Sequence, residues 1–262
     1  MNKKLSFNDV PELYERLRPT YPEKLIEDII NYSALTSTSE ILEIGPGTGQ
    51  ITLPFARRGY SITGIEIGEN LVDHLRTKLL NYPNAKIYNY SFEEWDNMGK
   101  TFDLIISAQA FHWIDPNIGY PKVEQLLNKN GRLALIWIYH PCTDMINELD
   151  KVYKKYFPNY KKLEDVESQM NKQIEEIKAS NLFANLKVYT YQFEIEYTSS
   201  QYIDLLDTYS DHRTMDKEIK SLLFNEIKKT INKFGGKIRK PYIATLYFAE
   251  KNLLSSKANE CS

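Results

Sequence analysis

The stretch Glu40-Ile41-Leu42-Glu43-Ile44-Gly45-Pro46-Gly47-Thr48-Gly49 decides the fold of this chain. Its first five residues form a short, largely apolar run that ends at a glycine, which is typical of a buried parallel strand. The glycines that follow let the chain turn tightly and bring backbone N–H groups close to a ligand, where a Cβ would obstruct the approach. The stretch therefore predicts a strand with a ligand-binding turn at its carboxyl end.

Strand-like and helix-like segments alternate through the first half of the chain. Leu71, Leu75 and Leu79 recur every fourth residue, which places them on one face of a helix. Repeated strand–helix–strand units with short connections predict a parallel sheet covered by helices on both faces. We expect strands at 40–44, 61–66, 85–89, 102–107 and 131–138, and helices at 48–58, 70–80 and 120–127.

The second half of the chain has a different pattern. Residues 144–184 are mostly helix-like and rich in Lys, Glu and Tyr, whereas 186–197 alternates apolar and polar residues as a half-exposed strand does. Two further helices are expected at 199–209 and 216–234, and 241–249 reads as a final strand. A late helix–strand pair that closes an open sheet, with extra helices capping it, fits this order.

A length of 262 residues is near the upper limit for one hydrophobic core. We therefore expect a single domain over residues 1–252, stable without disulfides, followed by a flexible tail at 253–262. The remaining helical segments would cap this domain. We assign residues 1–32 to an N-terminal cap and about 144–184 and 199–234 to lid insertions that bind substrate.

Charge and cysteine content narrow the classes of partner and compartment. The chain has 33 Lys and Arg residues and 35 Asp and Glu residues, which gives a formal charge of −2. This balance provides no overall electrostatic attraction to nucleic acid or to an anionic membrane. No run of about 18 apolar residues is present, and Cys142 and Cys261 are isolated. We expect a soluble cytoplasmic protein with a small-molecule substrate, no metal site, and neither a nucleic-acid nor a membrane partner; no oligomeric state is indicated.

The spacing of the glycines limits the ligand. A dinucleotide fingerprint, Gly-x-Gly-x-x-Gly, would place its third glycine at position 50, which is Gln50, and no Gly-Lys-Ser/Thr follows as a P-loop requires. The charge of Glu43 disfavours a pyrophosphate but suits an ammonium group. Glu66 follows Gly45 by 66 − 45 = 21 positions and ends the second strand, where an acid can bind the two hydroxyls of a ribose.

Residues 43–49 resemble the first motif of class I S-adenosylmethionine (SAM)-dependent methyltransferases, in which the glycine turn packs against the amino-acid end of SAM. Residues 91–95 resemble the segment of that family that borders the adenine, and residues 107–109 the strand end that presents backbone groups to the methionine part of SAM. Residues 14–22 and 110–113 resemble motifs of its trans-aconitate-methyltransferase-like, methyltransferase type 11 small-molecule branch. The resemblance covers most of residues 10–140. It implies an α/β fold: a Rossmann-like, doubly wound, seven-stranded, mostly parallel sheet with the last strand antiparallel, plus a helical cap or lid from the N-terminus and the C-terminal half.

The same resemblance implies which residues bind SAM. Arg18 would pair with its carboxylate, Glu66 with its ribose, and Phe92 with Glu93 would border its adenine. The full set of implied cofactor-binding residues is Tyr14, Arg18, Glu43, Gly45, Pro46, Gly47, Thr48, Gly49, Glu66, Ile67, Ser91, Phe92, Glu93 and Ala108.

Methyl transfer from an activated sulfonium requires alignment, exclusion of water and, for some acceptors, removal of a proton. His112 is the candidate catalytic residue: it would accept a proton from a hydroxyl or amine, or instead hydrogen-bond a substrate carboxylate. The candidate substrate-binding residues are Tyr21, Trp113, Tyr209 and Arg213.

The sequence thus predicts a SAM-dependent methyltransferase acting on a small molecule, at oxygen in preference to nitrogen or carbon, with S-adenosylhomocysteine as product. Two alternatives remain open at this point. The glycine turn with Glu66 also fits an NAD-dependent oxidoreductase, although Gln50 argues against it. A SAM-binding protein without catalytic activity would carry the same motifs.

Overall fold

The computed structural model describes residues 15–157, 160 and 164–253. Its helices and strands alternate through the first half of the chain, as the sequence pattern predicts. In chain order they are α1 (Glu23–Tyr32), β1 (Glu40–Ile44), α2 (Thr52–Arg57), β2 (Ser61–Glu66), α3 (Glu69–Lys78), β3 (Ala85–Asn89), β4 (Phe102–Ala108), a 3-10 turn (Phe111–Trp113), α4 (Pro116–Leu126), β5 (Leu127–Tyr139), α5 (Asp144–Tyr156), α6 (Val166–Ala179), β6 (Phe183–Thr198), α7 (Ser199–Asp207), α8 (Ser210–Arg213), α9 (Lys217–Lys233) and β7 (Lys237–Lys251).

The strands form one seven-stranded sheet in the order β3-β2-β1-β4-β5-β7-β6. The pairs β1–β2, β1–β4, β2–β3 and β4–β5 are parallel, and the last strand of the chain, β7, is antiparallel. This order confirms the predicted Rossmann-like, doubly wound α/β fold. Because β1 to β4 run in the same direction, their carboxyl ends lie along one edge of the sheet.

The central strands are buried on both faces. In β1, Ile41 and Leu42 are inaccessible to solvent although their side chains point to opposite sides, and Leu104 and Ile105 in β4 behave in the same way. A strand of this kind needs helices on each side, which explains why the sequence shows an apolar run rather than an alternating pattern.

Some helix limits differ from the predicted ones. The helix expected from Thr48 begins at Thr52, because Gly49 donates its N–H to the carbonyl of Pro46 (2.9 Å) and keeps the intervening residues in a turn. The helix expected from Tyr120 begins at Pro116, where Asp115 accepts a hydrogen bond from the N–H of Asn117 and caps the first turn.

The later strands are also longer than predicted. The strand expected at 131–138 spans Leu127–Tyr139, that at 186–197 spans Phe183–Thr198, and that at 241–249 spans Lys237–Lys251. The additional residues are largely polar, so the apolar pattern did not extend to them. They are held by backbone pairing, which is independent of side-chain type.

The chain divides into two compact units. One comprises Met1–Pro19, Tyr139–Gln169 and Gln192–Ile243, and we call it the helical unit. The other comprises Thr20–Ile138, Met170–Tyr191 and Ala244–Ser262, and we call it the sheet unit. The single domain with cap and lid segments at 1–32, 144–184 and 199–234 stays a prediction. Residues 1–14 of the cap, and 254–262 of the predicted tail, lie outside the described residues.

Candidate functional site

The glycine turn lies between β1 and α2 in the sheet unit. Gly45 has φ +70°, and a Cβ built on it would approach the Cβ of Ala110 to 2.4 Å, so only glycine fits there. Gly47 has φ +55°, but a Cβ built on it meets no atom within 4 Å. The turn is therefore packed against the sheet unit at Gly45 and faces open space at Gly47.

Glu66 ends β2, and its carboxylate joins the glycine turn to the β2–α3 turn. One oxygen accepts a hydrogen bond from the N–H of Gly47 (3.0 Å) and the other accepts one from the N–H of Gly68 (2.9 Å). Burial raises the pKa of Glu66, and these backbone donors oppose that shift. Each oxygen retains acceptor capacity, so the carboxylate can also accept hydrogen bonds from a diol.

Thr48 supplies a second polar group in the turn. Its side chain is fully buried, and its hydroxyl oxygen has no hydrogen-bond partner among the described residues. The ammonium of Lys78 donates to the carbonyl of Thr48 (2.6 Å) and fixes the backbone there. A buried hydroxyl without a partner, beside a turn open at Gly47, fits a polar ligand in this turn.

Glu43 lies in β1 just before the turn and is almost completely buried, with 1% of its surface exposed. It accepts a hydrogen bond from the Thr52 hydroxyl (2.6 Å), which anchors the first turn of α2 to β1. Burial raises the pKa of Glu43 to about 8 despite this hydrogen bond, and the charge of Glu66 adds to the shift. At neutral pH the group is therefore mainly protonated, and the negative charge expected from the sequence is largely absent.

The segment after β3 is positioned by residues that the sequence did not single out. The ammonium of Lys122 donates to the carbonyls of Glu93 (3.1 Å) and Trp95 (2.6 Å) and lies 5.2 Å from the ring centre of Phe92, which is buried. Ser91 donates its hydroxyl to Glu94 (2.9 Å). No local pattern relates Lys122 in α4 to this segment, so sequence reasoning missed it.

Asn89, the last residue of β3, was also missed. Its amide donates to the carbonyls of Glu66 (2.9 Å) and Ile67 (3.0 Å), which fixes the turn that carries the acid. A polar residue at the end of a parallel strand is a signal that could have found it. Ile67 itself is exposed, and Ala108 is half-buried at the end of β4.

His112 lies in the 3-10 turn that follows β4, with its ring 4.9 Å from that of Trp113. The residue is exposed, yet partial desolvation of its ring by the surrounding protein lowers its pKa from the usual 6.5, and the charge of Glu176 opposes this shift. The same Glu176 accepts a hydrogen bond from the buried Tyr120 hydroxyl (2.9 Å). His112 is therefore a neutral imidazole at neutral pH and can accept a proton.

Three of the remaining predicted site residues belong to the helical unit. Arg18 donates to the hydroxyl (2.9 Å) and the carbonyl (3.0 Å) of Thr208, and its guanidinium lies 4.1 Å from the ring centre of Tyr209. The backbone N–H of Arg213 donates to the carbonyl of Tyr209 (3.0 Å). Tyr21 is half-buried in the sheet unit, and Tyr14 lies outside the described residues.

Two absences concern the described residues only. Within residues 15–157, 160 and 164–253, no helix is both long and apolar enough to cross a bilayer. In that part of the chain, no group of three or more His, Cys, Asp or Glu side chains is placed to hold a metal ion.

The chain is similar to known methyltransferases. Residues 41–131 match the family described as a methyltransferase domain. An uncharacterized methyltransferase of Mycobacterium bovis is 32% identical over 133 residues, and a methyltransferase-like protein of Schizosaccharomyces pombe is 28% identical over 222 residues, which cover 83% of this chain and 84% of that protein. The match to the mycobacterial protein covers 51% of this chain, which thus spans about half (52%) of that relative's length.

A solved structure has the same fold. It is phosphoethanolamine N-methyltransferase 2 of Haemonchus contortus, in complex with phosphomonomethylethanolamine and S-adenosylhomocysteine. The TM-score is 0.54 at 14% identity, over 93% of this chain and 57% of that one. The fold of this chain is therefore that of class I methyltransferases, and its residues 41–131 are similar to a methyltransferase domain.

Proposed function

We propose that this protein binds SAM and transfers its methyl group to a small-molecule acceptor, preferentially at oxygen, with S-adenosylhomocysteine as product. The observation that carries the proposal is the pair of hydrogen bonds from Gly47 and Gly68 to Glu66, beside a turn that is open at Gly47. This arrangement holds an acid and a glycine backbone together at the carboxyl edge of a parallel sheet, where such sheets bind nucleosides.

The residues that would hold SAM lie along that edge. The turn from Gly45 to Gly49 would receive the amino-acid end, and the unpartnered hydroxyl of Thr48 would gain a partner there. Glu66 would accept hydrogen bonds from the ribose hydroxyls. Bound SAM supplies an activated methyl group, so the protein needs no metal or redox centre for that step.

His112 would take the proton of an acceptor hydroxyl. As a neutral imidazole it can accept that proton, and Trp113 beside it would shield the reacting groups from water. A base at this position favours oxygen over nitrogen as the acceptor atom. A hydroxyl must lose its proton to become a good nucleophile, whereas a neutral amine need not.

The proposed location is the cytoplasm. Cys142 is an exposed, unpaired thiol, which suits a reducing compartment. The proposed partner is a small molecule; the charge balance of the chain favours neither nucleic acid nor an anionic membrane.

The test is calorimetry with SAM and with NAD, followed by methyl transfer from isotope-labelled SAM to a metabolite library and to total RNA. We expect SAM to bind, NAD not to bind, and label to enter small molecules. Binding of NAD without SAM would overturn the cofactor assignment. Label in RNA alone would overturn the acceptor class, and SAM binding without transfer to either acceptor class would favour the inactive SAM-binding alternative.

A further inference from the structure

Lys240, in the β7 part of the helical unit, is a buried ammonium surrounded by tyrosine rings. It is 6% exposed, and its nitrogen donates to the Tyr209 hydroxyl (3.1 Å). The same nitrogen lies 5.2 Å, 5.4 Å and 5.8 Å from the ring centres of Tyr242, Tyr209 and Tyr202. Among the described residues no carboxylate pairs with it. Aromatic faces offset only part of the cost of burying such a charge, so the position lacks an anion.

His140 is a second unsatisfied group beside the same aromatic ring. It follows β5, and its ring lies edge-on to Tyr242 with 5.2 Å between ring centres. Its Nδ1 atom is buried and has no hydrogen-bond partner within the described part of the chain. Burial lowers the pKa of His140, and the charges of Lys240 and Arg18 lower it further. His140 is thus a neutral imidazole whose inner nitrogen can carry a donor proton.

Arg18 brings a second positive charge to this cluster. Its guanidinium lies 4.1 Å from the ring centre of Tyr209 and donates hydrogen bonds to the hydroxyl and the carbonyl of Thr208. Burial raises the pKa of Tyr209, but the charges of Lys240 and Arg18 outweigh burial and lower it. The phenol therefore experiences a strongly positive environment, which an anion would neutralise.

We propose that Lys240, Tyr209 and His140 form a binding site for the carboxylate group of a small molecule. An ammonium, a phenol and an imidazole offer N–H and O–H donors, and a carboxylate has two oxygens that accept several such hydrogen bonds. The tyrosine rings around Lys240 provide apolar walls for a short hydrocarbon part of the ligand. The proposed ligand is a small organic acid other than SAM.

Binding of succinate to the full-length protein tests this site without any turnover. We expect succinate to bind at millimolar concentration or below, K240M to weaken it by about tenfold or more, and Y209F to weaken it less. Lys237 lies three residues earlier in β7 and pairs with Glu196 at the surface (2.7 Å), so K237M is the matched control and should bind as the wild type does. Circular dichroism confirms that each variant is folded.

A second comparison tests whether the ligand is an acid other than SAM. We expect succinate to bind equally well to the free and to the SAM-loaded protein, and K240M to bind SAM as the wild type does. Competition between succinate and SAM, or an affinity for SAM about tenfold lower in K240M, would overturn the assignment to a separate acid. Absence of succinate binding to the wild type, or equal binding to wild type and K240M, would overturn the site; neither result bears on SAM binding at Glu66.

Discussion

The carboxylate of Glu66 accepts a hydrogen bond from the backbone N–H of Gly47, a residue 19 positions earlier in the chain, at 3.0 Å. The parallel pairing of β1 with β2 makes this possible, because Ile44 lies opposite Ile65 and the following turns start at the same edge. The acid and the glycine turn are therefore one structural unit, and a change in either alters the position of the other.

Removal of the acid should weaken SAM binding. We expect E66A to lose roughly 1–3 kcal/mol, because two charge-assisted hydrogen bonds to the ribose disappear, and E66Q to lose less because its amide retains one acceptor oxygen. Calorimetry with SAM measures both. E69Q changes an exposed acid in the first turn of α3 and serves as the control. Equal affinity of wild type and E66A would exclude Glu66 as a ribose ligand.

Alanine substitutions at Gly47 and Gly59 should distinguish the backbone strain of a positive φ from obstruction of the ligand by a new methyl group. Both have positive φ, +55° and +84°, and a Cβ on either meets no atom within 4 Å. G47A and G59A should therefore destabilise the fold by a similar amount, about 1–2 kcal/mol. Only G47A should also weaken SAM, because its methyl group occupies the open side of the turn. Chemical denaturation and calorimetry measure the two effects, and similar loss of SAM affinity in both variants would contradict an open-sided binding turn.

Glu43 should make stability fall as pH rises. Its pKa is raised by burial from 4.5 to about 8, so the unfolded chain releases this proton more readily than the folded one. Between pH 4.5 and about 8 the free energy of unfolding should decrease by at most about 1.4 kcal/mol per pH unit from this group.

The E43Q variant removes that dependence but keeps an acceptor for the Thr52 hydroxyl. Urea denaturation across this pH range should therefore give a flatter profile for E43Q than for the wild type, and E69Q should keep the wild-type slope. If E43Q and wild type have the same slope, Glu43 is ionised in the folded protein.

Protonation of His112 should set the acidic limb of the pH–rate profile, that is, the fall of kcat at low pH. Its lowered pKa predicts that kcat is constant at neutral pH and falls as pH drops through a value below 6.5, where the imidazole gains a proton. H112A should reduce kcat by about 100-fold and leave SAM affinity within a factor of about two. A rate that rises as pH falls would instead support the hydrogen bonding of a substrate carboxylate by the protonated ring.

Glu176 should control the position of that limb. Its charge raises the pKa of His112, so E176Q should move the limb to lower pH while its amide oxygen still accepts the Tyr120 hydrogen bond. Glu175 is the neighbouring exposed acid, paired with Lys178 (3.3 Å), and E175Q provides the control. A limb that moves equally in both variants would show a general effect of surface charge.

The fold was largely predictable because its determinants are local. The apolar run before Gly45, the leucines four residues apart in α3, and the acid that ends β2 each follow from the conformation of one element. Helix starts were less accurate: neither the turn that delays α2 to Thr52 nor the capping contact of Asp115 produces a periodic signal.

The sequence by itself determined the alternation of strands and helices, the glycine turn and the acid at the next strand end, since backbone conformation and strand spacing depend on residues near one another in the chain. Only the tertiary structure decided that Glu43 is buried with its proton, that Lys122 supports the segment after β3, and that Lys240 lies among tyrosines without a carboxylate partner in the described residues. These features depend on burial and on contacts between distant segments. Both are set by how the elements pack, and no local pattern records them.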